Sequence, residues 1–386
     1  MAEILFWSAL GLLMYIYVLY PLLLWMGNRF FSRKVTPDSD FLPGVSLIVA
    51  AYNEEAVIGK KLENSLEIDY PADRLEIIVA ADGCEDRTHE IVESFADRGV
   101  ILNKVTPRGG KTRALNLTIP AAANDIIVLS DANAMYAPDS IRQLVAWLKD
   151  PAVGGVTGDV QILNEGEEFG DSEGMYYKYE RFIQQCESDL GSIVGVDGAM
   201  YAFKRAYFRA PSNEIILDDF VTSMNIVNQG QRVLYNPRAL AYENATPSVR
   251  QEFRRKARIA AGGMQALLKG EGLPGLTQLR EWWMYLSHKL LRWFTSLFML
   301  VALVSNFFLL GDPLWNTLFG IQMVFYSLSF FGMVFGKFDL PSLLKIPFYF
   351  CMVNTAILWG LFKGLLGLQK VTWKKADRDL VSVPPK

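Results

Sequence analysis

Four long stretches of this chain carry no charged side chain, and they limit the folds open to it more than any other feature. They are residues 4–28, 294–311, 313–336 and 346–362. About 20 apolar residues in helical form cross a bilayer. The first and third runs meet that length, and the second and fourth are short but usable. The first is too long and too aromatic for a secretory signal, and no small-residue cleavage site follows it. Arg29, Arg33 and Lys34 follow it directly, which places the next segment in the cytoplasm. The expectation is a multi-pass protein of the inner (plasma) membrane. Three later spans would leave the carboxyl terminus outside, whereas Lys363, Lys370, Lys374, Lys375 and Arg378 favour the inside.

With 386 residues, the chain can build a large core besides these runs. A net charge of −3 gives no general attraction to nucleic acid, and none is expected as a partner. Cys84, Cys186 and Cys351 lie far apart, with neither a zinc spacing nor a disulfide framework. His89 and His288 are the only histidines. They exclude a multi-histidine metal site and argue against a Ser-His-Asp hydrolase.

Between residues 45 and 148, apolar runs of strand length alternate with helical patterns. Strands are expected at 45–51 (VSLIVAA), 75–81, 100–105 and 126–129, and helices at 55–68, 86–95, 111–119 and 139–148. Such alternation builds an α/β layer with a mainly parallel sheet covered on both faces. From 153 to 242 the pattern is less regular, with strands at 153–160, 194–203 and 233–242 and helices at 175–190 and 221–229. Further on, Leu276, Leu279, Trp283, Leu286, Leu290 and Trp293 recur at three-four spacing, with His288, Lys289 and Arg292 elsewhere on the helix. That pattern suits a helix lying in the membrane interface; the alternative is a packed amphipathic helix of the soluble domain.

Polar clusters follow several of the apolar runs. Tyr52, Asn53 and Glu54 follow the first strand, and Asp82 follows the second. Asp131 and Asn133 follow the fourth, and Asp218 and Asp219 follow 215–217. Each alone reads as a turn or a helix cap. Together they collect at one edge of one sheet, where α/β folds bind ligands. Asp131 and Asn133 carry the hard oxygen ligands that suit Mg²⁺ or Mn²⁺. Gly109-Gly110-Lys111-Thr112 joins a flexible turn, a lysine and a helix start, all suited to phosphate. It is no Walker A loop, because Val105 stands where that motif needs glycine. Gln251, Arg254, Arg255, Lys256 and Arg258 form a basic run that reads as a solvated face, a lipid contact or a pyrophosphate site.

The segments VSLIVAAYNEEAVI, AADGCEDRT, GGKTRALN, VLSDAN, VGVDGAMYAFKR, ILDDF and QEFRRKAR, in that order, carry a resemblance. The chain resembles the membrane-embedded, inverting family 2 glycosyltransferases with a GT-A catalytic domain, the group of hyaluronan, chitin-oligosaccharide and cellulose synthases. The resemblance implies a GT-A domain, a Rossmann-like and mainly parallel α/β fold, over residues 35–270. It implies an anchor over 1–34, an interface helix over 271–293, spans over 294–368 and a basic tail over 369–386. Tyr52, Asn53, Glu54, Asp82, Lys111 and Asp131 would hold the donor, with Gln251, Arg254 and Arg255 in the position of the QxxRW motif. Asp131 and Asn133 would hold Mg²⁺ or Mn²⁺, with Asn133 in place of the second carboxylate of DxD. Asp197, Gly198 and Asp218 would line the acceptor site. Asp219, matching the last acid of the TED motif, would be the general base. Arg255 replaces the tryptophan that stacks on the acceptor sugar in processive members.

The expected function is therefore transfer of a sugar from a nucleotide-sugar, by family habit a UDP-sugar, to a saccharide acceptor at the lipid bilayer. The alternative within the class is a single transfer to a lipid-linked or polyprenyl-linked acceptor. A transporter would need ionisable or broken-helix features in mid-span, and these spans show little of that.

Overall fold

A computed structural model describes residues 1–163, 170–244, 248–335 and 342–372. Lys374, Lys375 and Arg378, and with them most of the expected basic tail, lie outside the described residues. Helix α1 (Ala2–Met14) passes through a π-helical turn (Tyr15–Leu19) into α2 (Tyr20–Phe31). Then come β1 (Val45–Ala51), α3 (Ile58–Leu66), β2 (Leu75–Asp82), α4 (Thr88–Glu93), β3 (Val100–Val105), α5 (Lys111–Thr118), β4 (Ile126–Asp131), β5 (Met135–Tyr136) and α6 (Ser140–Val145). β6 (Val153–Leu163), α7 (Gly170–Leu190), β7 (Met200–Lys204), α8 (Asp218–Asn228), β8 (Arg232–Asn244) and α9 (Val249–Lys269) complete the sheet domain. The remainder is α10 (Leu279–Met284), a π-helical turn (Tyr285–Leu290), α11 (Leu291–Trp293), α12 (Thr295–Phe307), α13 (Pro313–Phe335) and α14 (Ser342–Leu365).

The strands form one sheet in the order β3-β2-β1-β4-β7-β6-β8-β5. The first four are parallel, β7 runs antiparallel to both β4 and β6, and β8 is parallel to β6. In β1, Val45, Leu47, Val49 and Ala51 face a layer that includes Ile58 and Leu62 of α3 and Ile141 and Leu144 of α6. Ile48 faces the opposite layer, with Ala114 and Leu115 of α5 and Ile226 and Val227 of α8. Side chains alternate along a strand, so helices on both faces require an unbroken apolar run. Each such side chain, fully buried, contributes about 1.5–3 kcal/mol. The chain moves outward from β1 through β2 to β3 and then returns to the other side of β1 as β4. The carboxyl ends of β1 and β4 therefore flank a topological switch point, the place where open α/β sheets bind ligands.

Two expectations change. The strand expected at 194–203 shrinks to Met200–Lys204. Ahead of it, Gly195 has φ +85°, Asp197 N–H donates to Thr157 Oγ1 at 3.2 Å, and Ala199 N–H donates to Asp197 Oδ1 at 3.2 Å. These bonds close a loop. The expected interface helix is not one rod either. It is α10, the π-helical turn and α11, followed by a bend of 59° into α12. Trp283 turns inward, its indole N–H donating to Tyr15 Oη at 3.0 Å and its ring lying edge-on to Tyr20. His288 is buried, with Nδ1 2.8 Å from Glu187 and Nε2 3.1 Å from Glu180 of α7. The segment packs on the first helix and on α7, while Leu276 and Leu279 stay exposed.

Among the described residues, three helices are long and apolar enough to cross a membrane, Ala2–Phe31, Pro313–Phe335 and Lys345–Leu365, and the bent pair Leu279–Trp293 and Thr295–Phe307 makes a fourth if it is one span. Helix α14 also lies along α9, and glycines set how closely. A Cβ on Gly364 would stand 2.6 Å from the Ala261 carbonyl oxygen, and one on Gly360 would strike that of Ala257. Beyond α14 the chain returns to the sheet domain, where Val371 packs on Gly110, 2.8 Å from where a Cβ would stand.

Candidate active site

Each strand end delivers its polar group for a local reason. After β1, Asn53 takes φ 53°, a conformation that asparagine tolerates better than most residues. Its Oδ1 accepts from Glu85 N–H at 2.8 Å, and Glu54 N–H donates to Thr88 Oγ1 at 2.8 Å. Both bonds tie the segment to the loop after β2. The Tyr52 ring carries the Arg108 guanidinium at 3.4 Å, a stacked cation–π contact. Asp82, buried at the end of β2, accepts from Gly109 N–H at 2.8 Å and Gly110 N–H at 2.7 Å. A carboxylate bonded to two backbone donors fixes a loop firmly. Gly110, at φ +97°, then launches α5 with Lys111 as its first residue.

Lys111 is the hub. Its Nζ lies 2.6 Å from Asp131 Oδ1, 3.9 Å from Asp218 Oδ2 and 3.5 Å from the Gly198 carbonyl oxygen. Burial works to lower its pKa, but Asp131, Asp218 and Asp219 together outweigh burial and hold the ammonium above its ordinary range. Asp218 and Asp219 do not end a strand. They open α8, where the helix dipole favours negative charge. Asp218 is buried and Asp219 half-buried. Burial, then the Asp218 carboxylate, push Asp219 up to about 7, against the pull of Lys111. Burial also raises Asp218. Gly198 lies directly against Asp219, since a Cβ there would stand 2.5 Å from Oδ2. Its neighbour Asp197 is held by Arg181, which reaches Asp197 Oδ2 at 3.2 Å and Asp159 Oδ1 at 2.7 Å.

The basic run on α9 divides differently from its sequence pattern. Arg254 is exposed. Arg255 donates to both oxygens of Glu252, at 2.8 and 2.9 Å, and to Tyr177 Oη at 3.0 Å. Gln251 is half-buried at the start of the helix. Arg258 of this helix feels the Asp218, Asp219 and Asp131 carboxylates. Burial lowers it, while Asp218, Asp219 and Asp131 support its charge. Sequence reasoning named Arg258 within the run but gave it no role of its own. Its position seven residues after Gln251 and four after Arg254, on one helical stripe, was the available signal. Lys61 was missed as well. It is wholly buried under the turn after β4, and burial pushes it down to about 7 against Asp131 and Glu243.

The turn after β4 was tested as a metal site. Ala134 N–H donates to the Asp131 carbonyl at 3.3 Å and closes Asp131–Ala132–Asn133–Ala134 into a β-turn. The Asp131 side chain is 37 % exposed, against 17 % for Lys111 and 8 % for Asp218, so of the two carboxylates paired with Lys111 it is the more open to a ligand. Asn133 Nδ2 is buried and has no hydrogen-bond partner among the described residues, so it awaits an acceptor. No group of three or more His, Cys, Asp or Glu that could hold a metal occurs among the described residues. One open carboxylate and one amide fit a hard divalent cation that takes its other ligands from phosphates and water.

Comparisons with known proteins place the chain in a family. A family model described as "Glycosyltransferase like family 2" matches residues 43–262. The poly-beta-1,6-N-acetyl-D-glucosamine synthase of Staphylococcus aureus is 26 % identical over 247 residues, which are 62 % of this chain and 59 % of the synthase. The chain thus spans less than two thirds of that relative. The probable glycosyltransferase YdaM of Bacillus subtilis is 26 % identical over 289 residues, 70 % of this chain and 68 % of YdaM. Among solved structures, the mannosyltransferase PcManGT of Pyrobaculum calidifontis, in complex with GDP-Man and Mn²⁺, superposes with a TM-score of 0.73. That match covers 95 % of this chain and 99 % of PcManGT at 23 % identity, and it is a likeness of fold.

Proposed function

Because the chain belongs to the glycosyltransferase-like family 2, we propose that it is a membrane-bound, inverting hexosyltransferase that moves a sugar from a nucleoside diphosphate to an acceptor hydroxyl. The observation that carries this reading is the meeting of Lys111, Asp131, Asp218, Asp219 and Gly198 at the switch point. Asp131 and Asn133 would hold Mg²⁺ or Mn²⁺, which when bound would supply positive charge to the donor's diphosphate. PcManGT, seen with GDP-Man and Mn²⁺, supports a nucleotide-sugar and a divalent cation. Tyr52, Asn53, Glu54 and Asp82 form the nucleoside side of the site. Asp82 serves it indirectly, through the Gly109–Gly110 loop.

In the transfer, the acceptor oxygen attacks the anomeric carbon and the bond from that carbon to the diphosphate oxygen breaks. Asp219 takes the hydroxyl proton. Lys111 and Arg258 balance the charge left on the diphosphate. Asp197, Gly198 and Asp218 shape the acceptor side, and the loop bonds of Asp197 keep Gly198 against Asp219. Gln251, Arg254 and Arg255 belong to the same helix as Arg258. Arg255 is engaged with Glu252 and Tyr177, which leaves no tryptophan there to stack on a growing sugar chain. This favours a second reading, one sugar per lipid-linked or polyprenyl-linked acceptor, over polymerisation. We place the protein in the inner membrane with the sheet domain of residues 35–270 in the cytoplasm.

The test is purified full-length protein with a panel of UDP- and GDP-sugars and saccharide or polyprenyl-phosphate acceptors. Release of nucleoside diphosphate that needs a divalent cation supports the proposal, and full turnover in EDTA rejects it. Product length separates the two readings, since a long polymer opposes single transfer.

A further inference from the structure

Lys61 stands on α3 and faces inward, with 0 % of its surface exposed. Burying an ammonium is costly unless hydrogen bonds and charge compensate it. Among the described residues Lys61 makes no ion pair within 4.0 Å. Its partners are the Ala134 carbonyl, 2.5 Å from Nζ, and the face of the Tyr136 ring, 4.0 Å away. Ala134 is the last residue of the turn that carries Asp131 and Asn133. One helical turn along α3, Asn64 brackets Tyr136: Tyr136 N–H donates to Asn64 Oδ1 at 2.8 Å, and Asn64 Nδ2 donates to the Tyr136 carbonyl at 2.9 Å. The Tyr136 hydroxyl in turn lies 3.0 Å from the Leu129 carbonyl and 3.2 Å from that of Ala199, next to Gly198. The Lys61–Tyr136 pair thus touches the turn after β4 on one side and the Gly198 loop on the other.

We infer that Lys61 and Tyr136 are positioning residues, a buried strut that fixes the Asp131–Asn133 turn and the Gly198 loop relative to each other. The inference rests on the reading of that turn as the divalent-cation site. Ligands on a short turn hold an ion only as well as the turn is held from behind. The turn's own closing bond is long at 3.3 Å, so the lysine on the Ala134 carbonyl supplies the restraint. Lys111 sits on Asp131 Oδ1 from the front, while Lys61 holds the turn from behind through the Ala134 carbonyl.

The strut predicts a division between two variants. Lys61→Met keeps the length and apolar stem but loses the ammonium. Tyr136→Phe keeps the ring under Lys61 but loses the bonds to Leu129 and Ala199. Mn²⁺ binding is measured by electron paramagnetic resonance on the detergent-solubilised full chain, with UDP and with GDP, alongside turnover and thermal unfolding. Lys61→Met is expected to weaken Mn²⁺ binding about 10–100-fold, the usual effect of losing a group that orients metal ligands, with the fold retained. Tyr136→Phe is expected to keep Mn²⁺ affinity and lose turnover, because Gly198 and Asp219 shift. Wild-type affinity in a folded Lys61→Met protein overturns the inference. If Lys61→Met does not fold, unchanged turnover in Tyr136→Phe overturns it. Wild-type protein that binds no Mn²⁺ with either nucleotide removes the metal reading itself, and the inference with it.

Discussion

Asp219 shows how one carboxyl gains a role from its surroundings. Burial and the neighbouring Asp218 raise it to about 7, while Lys111 and the start of α8 favour its ionised form. A general base must be ionised to act. Turnover should therefore rise with pH through about 7 and be lost as pH falls below it, and Asp219→Asn should remove that limb of the profile. A pH–rate curve flat between pH 6 and about 8 would contradict the assignment. Gly198 carries a second prediction at this scale. Its missing Cβ leaves room for Asp219 Oδ2. Gly198→Ala should cost about 10²-fold in turnover, the usual order for a 1 Å misplacement, with donor affinity nearly unchanged. Asp131, Lys111 and Asp219 could be read from the sequence because each ends or begins an element beside a motif. Arg258 could not, because a basic run does not say which arginine faces inward. A buried Lys61 looks in sequence like any lysine of an amphipathic helix.

The elements themselves were legible where the pattern was simple. β1, β2 and β4 lie inside the sheet, and mainly apolar runs mark them to within two residues; β3, the edge strand, is matched in length although Ile101 and Lys104 are exposed. The loop before β7 was not legible, because residues 194–203 read as one strand-like run. Only the hydrogen bonds of Asp197 and the positive φ of Gly195 divide it. The helix expected over 276–293 is broken by a π-helical turn and packs Trp283 and Leu290 on protein while Leu276 and Leu279 stay exposed, a division that sequence spacing alone does not give. The closest helix pair, α9 and α14, makes a prediction. Small residues let the two backbones meet at Gly360, Gly364, Ala257 and Ala261. Gly364→Leu should overpack that contact and cost about 1–3 kcal/mol, read as a lower unfolding temperature in detergent. It should also lower turnover, because α9 carries Arg258. Unchanged unfolding and turnover would show the crossing to be incidental.

At the scale of the whole molecule, the sheet domain and the membrane helices are interlocked. Tyr20 and Leu24 of the first helix share a core with Ile183 and Leu190 of α7 and with Met284 and Tyr285. Phe6 and Ala9 pack on Ala302 and Trp315. Val371 on Gly110 puts the end of the described chain beside the Gly109–Gly110 loop. A reporter fused after residue 386 should therefore be accessible from the same face of the membrane as one in the sheet domain, and opposite accessibility would refute that arrangement. The proposed chemistry divides the labour: the switch point holds the donor and Asp219 takes the proton. The most direct test compares Asp219→Asn and Asp218→Asn with the wild-type protein in the same membranes, measuring turnover and nucleoside diphosphate affinity together. Asp219→Asn should lose about 10²–10⁴ in rate with affinity kept, and Asp218→Asn should be milder. Near-normal turnover in Asp219→Asn, or loss of nucleotide affinity along with turnover, would contradict Asp219 as the base.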